Sequence, residues 1–163
     1  MSKAKIVLLV GLPGSGKSTW IAQRGIRAIS SDEVREILTG DATNQSVNGR
    51  VFETVRHLLS QRLSIGMLEN YVDATSLTKD ERLPYIDMAR RFDAEIEAIF
   101  FDVPLEICRQ RNLARARVVP AEAMDKLAAK LQPPSAAEGF TRVTVVADQM
   151  PATTPAAAAP LDL

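Results

Sequence analysis

Along the chain, short apolar runs alternate with stretches in which apolar residues recur every three or four positions. The runs Lys5 to Val10, Ala28 to Ser30, Tyr71 to Asp73, Ile96 to Phe101 and Val143 to Val146 show little internal alternation, which predicts strands buried on both faces. The clearest helical stretch is Gly49 to Ile65. There Val51, Phe52, Val55, Leu58, Leu59 and Leu63 fall at spacings of three and four, and Gly66 supplies a stop. Strand then helix, repeated, predicts right-handed crossovers and an α/β fold with a parallel sheet of about five strands covered on both faces. Ligands of such a sheet bind outside the carboxyl ends of the strands, so the residues that follow each strand are where chemistry is expected.

The chain has 163 residues, 46% of them hydrophobic and 25% charged, which fits one globular domain and excludes disordered, collagen-like and membrane classes. The longest unbroken apolar run, Ile6 to Val10, is far short of the roughly 18 residues of a membrane span and leads into glycine-rich sequence without a cleavage site. A cytoplasmic location is therefore expected. Cys108 is the only cysteine, which excludes an internal disulfide, a thiolate zinc cluster and a CxxC pair. Lys plus Arg and Asp plus Glu both number 20, so the net charge is zero. That balance argues against a long footprint on nucleic acid and predicts that any polyanion is gripped at one end. No internal repeat is present. Pro151 to Leu163, with three prolines among small residues, reads as a mobile extension, so a folded domain over 1–147 and a flexible Pro/Ala-rich tail over 148–163 are expected.

Directly after the first strand comes Gly11-Leu12-Pro13-Gly14-Ser15-Gly16-Lys17-Ser18-Thr19, a full match to G-x-x-x-x-G-K-[ST]. Glycines at these positions let the backbone curl so that successive N–H groups point at phosphate oxygens, and the following helix N-terminus adds a favourable field. Lys17 is placed to neutralise the β and γ phosphates of ATP, and the Ser18 hydroxyl to ligate Mg2+.

The second strand ends in Ser30-Ser31-Asp32-Glu33-Val34-Arg35. Asp32 falls where a carboxylate can take the proton of an attacking hydroxyl. It equally suits a helix start, because Ser30-x-x-Glu33 fits a capping box and an acid there complements the helix dipole. Arg35, on nearly the same helical face, is placed to hold a phosphate of the acceptor. Asp73 closes the third strand and is the first candidate to hold a magnesium-bound water or to orient Lys17. Asp102, closing the fourth strand, competes for that role, although an acid ahead of Pro104 also suits a helix start. Arg109, Arg111, Arg115 and Arg117 follow the fourth strand and suit a mobile lid over the nucleotide, with Arg111 and Arg115 on one face if the helix continues that far. His57 falls on the polar side of its helix and reads as surface, Cys108 as an inert packed thiol, and Trp20 as packing the first helix on the sheet. Phe140 or a lid arginine is the candidate to stack on the nucleotide base.

Taken together, Gly14 to Trp20, Ser31-Asp32-x-x-Arg35, Asp73-Ala74-Thr75, Arg111-Asn112, Val119-Pro120 and Pro134-x-x-x-Glu138-Gly139-Phe140 resemble the phosphate-loop kinases grouped around the polynucleotide 5'-hydroxyl kinases. The resemblance spans almost the whole chain apart from the tail, and covers a kinase domain with no phosphatase or ligase segment. It implies an ATP- and Mg2+-dependent phosphotransferase with Asp32 as general base, Arg35 on the acceptor phosphate and Arg115 clamping the donor phosphates. The implied acceptor is the 5'-hydroxyl of RNA or DNA. Relatives of the same build phosphorylate small metabolites or antibiotics, and a non-enzymatic ATP-binding switch is the third reading. Ser76 departs from the asparagine that often follows Asp-Ala-Thr in that family, so no amide contact is expected there.

Overall fold

The computed structural model describes residues 2–147, and the expected tail over 148–163 lies outside them. Strands β1 (Lys5–Val10), β2 (Ala28–Ser30), β3 (Glu69–Asp73), β4 (Glu95–Asp102) and β5 (Arg142–Ala147) form one sheet in the order β2-β3-β1-β4-β5. Every pairing is parallel, so each connection must cross over the sheet. The helices that do so are α1 (Lys17–Gln23), α2 (Ser31–Thr39), α3 (Asn48–Ser64), α4 (Lys79–Arg91), α5 (Leu105–Leu113) and α6 (Ala121–Lys130). The expected five-stranded parallel α/β sheet is thus present. Among the described residues no helix is long and apolar enough to cross a membrane.

Strand alternation divides the core between the two faces of the sheet. Ile6, Leu8 and Val10 of β1 pack with Val51, Val55 and Leu59 of α3 and Ile86 and Ala89 of α4. Val7 and Leu9 face the other way, onto Phe101, with Trp20 and Ile21 of α1 packed against them. Trp20 meets Phe101 edge-on at 6.0 Å and carries the Arg24 guanidinium 4.0 Å above its ring, so it packs α1 on the sheet as expected. A separate cluster of Leu12, Leu77, Val103, Cys108 and Met124 lies under the loops at the carboxyl ends of the strands. It gives those loops a rigid floor. Cys108 is fully buried there, with Sγ 3.7 Å from the Val103 carbonyl, and His57 is exposed on α3.

Phe140 does not reach a nucleotide base. It is 5% exposed and belongs to the large core cluster, so the stacking role proposed for it is corrected to packing. The reason is its position just ahead of β5, at the amino end of the strand and away from the carboxyl ends where ligands sit.

Candidate active site

A cleft of 1770 Å³ opens at the carboxyl ends of the strands. Its floor is the turn between β1 and α1. Gly14 and Gly16 hold φ of +85° and +102°, in the left-handed region that glycine enters without cost. At Gly14 a second constraint applies, because an added Cβ would lie 2.5 Å from the Cys108 carbonyl oxygen. Gly14→Ala is therefore expected to carry the backbone penalty of about 1–2 kcal/mol and a steric clash with α5 as well. Gly25→Ala, at φ +62° in open space, carries only the first. Melting temperatures of the two variants test this: Gly14→Ala should fall further, and it alone should lose nucleotide binding.

Lys17 is buried and folds back over the loop, its Nζ donating to the carbonyls of Gly11 at 2.7 Å and Leu12 at 3.0 Å. Burial pulls its ammonium below the ordinary lysine range. The Asp73 carboxylate opposes that shift and Arg115 adds to it. Ser18 and Thr19 are exposed in the cleft, alongside Pro13, Gly14, Ser15 and Gly16. Gly11 and Leu12 do not line it: the Leu12 side chain is in the floor cluster, and both residues contribute the carbonyls that hold Lys17.

Asp73, at the end of β3, lines the same cleft. Burial pushes its carboxyl up, Lys17 pulls it down, and Asp32 adds to the rise. Asp102 is exposed and outside the cleft, so of the two candidate carboxylates it is Asp73 that sits with Lys17. Across from the loop, the Ser30 hydroxyl accepts from the Glu33 N–H at 3.2 Å and starts α2. The reciprocal arm of the predicted capping box is absent, because the Glu33 carboxylate pairs with Arg27 at 3.3 Å. Asp32 is half-buried in the cleft. Arg35 Nη1 donates to its Oδ1 at 3.0 Å, and the buried Arg35 donates through Nη2 to Asn48 Oδ1 at 2.8 Å. Phe52, Arg56 and Tyr85 complete the wall on this side. Burial pushes the Tyr85 phenol up to about 12, so it stays protonated and is no candidate base.

The condition set for the arginine segment, that the helix continue through it, is not met. α5 stops at Leu113, and Arg115 lies in the loop beyond it, so Arg111 and Arg115 do not share a helical face. The loop beyond is tied back by buried Asn112, whose side-chain amide donates to the Val119 carbonyl at 2.7 Å and whose oxygen accepts from the Val119 N–H at 2.9 Å. That pair of hydrogen bonds staples the loop shut. Arg111, Arg115 and Arg117 line the cleft, whereas Arg109 turns to Asp125 and Glu106. Arg111 Nη1 donates to the Gly14 carbonyl at 3.4 Å, Arg117 Nη1 lies 3.2 Å from Asp32 Oδ2, and Arg115 Nη1 is buried with no hydrogen-bond partner. A buried donor of that kind, in a cleft lined by the glycine-rich loop and further arginines, fits an anionic ligand. The partnerships of Asn48, Asn112 and Arg117 carried no local sequence signal, since each joins residues seven or more apart and no motif states the pairing.

A family model described as an AAA domain matches residues 6–134. The chain belongs to that family. It is a phosphate-loop kinase domain homologous to polynucleotide kinases, as the sequence resemblance implied. The bifunctional polynucleotide phosphatase/kinase of Schizosaccharomyces pombe is 26% identical over 151 residues, which covers 87% of this chain and 33% of that protein. The L-seryl-tRNA(Sec) kinase of Methanococcus maripaludis is 24% identical over 138 residues, covering 79% and 53%. The chain thus spans from a third to about half of these relatives' lengths. Among solved structures, a chain of the Pnkp1/Rnl/Hen1 RNA repair complex superposes with a TM-score of 0.69 at 24% identity, covering 81% of this chain and 45% of that one, and shares the fold.

Proposed function

We propose that the protein transfers the γ-phosphoryl group of ATP to an acceptor hydroxyl, the 5'-hydroxyl of a polynucleotide. The observation that carries this reading is the pairing of Asp32 with the buried Arg35 in the cleft that also holds Lys17 and the phosphate loop. A carboxylate with a guanidinium beside it suits an acceptor that presents a hydroxyl next to a phosphate. A relative matched over 151 residues, a polynucleotide phosphatase/kinase, supports the same acceptor class.

In this reading the loop N–H groups and Lys17 hold the β and γ phosphates, and Arg111 and Arg115 cover them from above. The acceptor oxygen attacks the γ phosphorus, ADP leaves, and the hydroxyl proton passes to Asp32. Arg35 holds the acceptor phosphate. Among the described residues no cluster of three or more His, Cys, Asp or Glu side chains is placed to bind a metal. Mg2+ takes few protein ligands and hard oxygens of the kind Ser18 and Asp73 offer, the latter through water. Bound there it would neutralise charge on the phosphates.

The test is transfer of labelled γ-phosphate from ATP to 5'-hydroxyl DNA and RNA oligonucleotides, beside neutral small-molecule alcohols and an aminoacylated tRNA. Labelling of the oligonucleotide 5' end supports the polynucleotide acceptor. Labelling only of a small alcohol moves the chain to the metabolite kinases, and ATP binding without any transfer to a switch.

A further inference from the structure

Asp32 lies between two guanidinium groups from distant parts of the chain. Arg35 Nη1, one turn along α2, is 3.0 Å from Oδ1, and Arg117 Nη1, from the loop after α5, is 3.2 Å from Oδ2. The two arginines are held very differently. Arg35 is buried and fixed at its other nitrogen by Asn48, so it cannot leave without exposing a charge to an apolar setting. The side chains of Arg117 and Asp32 are 40% and 43% exposed, and an ion pair that open to water exchanges partners readily. Arg117 also rides on the stapled 113–118 loop, the one segment of the lid that reaches across the cleft to the acceptor half. Asp41, before α3, is the next acid in its field, but its Oδ1 already accepts from the Thr43 N–H and hydroxyl at 2.9 Å and 2.6 Å.

We propose that Arg117 is a positioning residue that occupies the Asp32 carboxylate until an acceptor bearing an anionic group beside its hydroxyl draws the guanidinium away. The inference rests on the reading of Asp32 as the base. Water or a neutral polyol brings no charge to replace that of Asp32, whereas a phosphate offers a better fork for the guanidinium. Arg117 thereby selects against water and against uncharged alcohols. In the reaction it suppresses, a water oxygen bonds to the γ phosphorus and the bond from that phosphorus to the bridging oxygen breaks. ADP leaves with the electron pair, and the water proton passes to Asp32 and on to solvent.

The experiment measures ADP release from ATP and Mg2+ with no acceptor, with a 5'-hydroxyl oligonucleotide and with glycerol. The variants are Arg117→Gln, Arg117→Lys, Asp32→Asn and the Arg117→Gln/Asp32→Asn pair. Arg117→Gln should raise acceptor-free hydrolysis about tenfold, a fraction of what a positioned base supplies, and should narrow the preference for oligonucleotide over glycerol. Arg117→Lys should keep most of the suppression, and adding Asp32→Asn should erase the rise. Hydrolysis unchanged or lowered in Arg117→Gln overturns the proposal, as does a rise that survives Asp32→Asn. Failure of the polynucleotide reading shows separately, as a wild type that labels no oligonucleotide, and the hydrolysis comparison still decides the role of Arg117.

Discussion

Replacing Asp32 with asparagine is expected to lower the rate of phosphoryl transfer by about 10²- to 10⁴-fold, the loss typical of a positioned base, while ATP binding stays close to wild type. The substitution is nearly isosteric. An asparagine oxygen can still accept from Arg35 Nη1, now 3.0 Å from Oδ1, so the buried guanidinium keeps its partners. What is lost is the capacity to take a proton. The amide nitrogen would then face Arg117 where Oδ2 now lies 3.2 Å away, and the lid arginine would lose its contact. Because Asp32 stands in the first turn of α2, removing its charge costs a further few tenths to about 1 kcal/mol of stability through the helix dipole. Trp20, three residues beyond Lys17 and lining the cleft, reports nucleotide binding by its fluorescence. Single-turnover rates measured beside that signal separate the two effects. A variant that transfers at near wild-type rate would leave Asp32 as a helix-start residue alone.

The residues that could be read in advance are those whose role is settled locally. β1 and β2 run over the residues predicted for them, because each apolar run ends at a glycine or a serine that starts the next turn. β3, β4 and β5 are longer than their apolar runs, extending to Glu69, Glu95, Asp102, Arg142 and Ala147. Backbone ladder bonds decide where a strand ends, and a charged side chain at a sheet margin can stay in water while its backbone remains paired. The phosphate loop was legible for the same reason: its geometry is encoded in consecutive residues. The lid was only half legible. Arginine density after β4 marked the segment, yet helical spacing could set Arg111 beside Arg115 only if the helix continued, and it stops at Leu113, with the loop beyond it tied back by Asn112 to Val119. Long-range partners left no trace in any window of sequence, and Arg117 meeting Asp32 across the cleft is the plainest case.

Truncating Arg82 is expected to be the most destabilising single change in the fold, and its effect reaches the active site. Arg82 on α4 is fully buried and forks onto Glu138, with Nε 2.8 Å from Oε1 and Nη2 2.9 Å from Oε2. Its remaining nitrogen, Nη1, donates to the Ser76 carbonyl at 2.9 Å. Ser76 and Thr75 both hold positive φ, +50° and +60°, a conformation that costs a non-glycine residue and persists only where the surroundings fix it. Arg82 is one such fixture, and the turn it pins begins three residues earlier at Asp73, beside Lys17. Arg82→Met leaves Glu138 as an uncompensated buried carboxylate, a loss of about 3–5 kcal/mol. For a chain of this size that lowers the melting temperature by about 6–20 °C. Pairing Arg82→Met with Glu138→Leu removes the stranded charge and should recover much of the stability. It should not recover the turn, since nothing then holds the Ser76 carbonyl. The double variant is therefore expected to melt near wild type yet bind nucleotide more weakly, with the defect tracking Asp73 and Lys17. Recovery of both properties together would show that the Ser76 turn stands without Arg82, and that the buried pair serves stability alone.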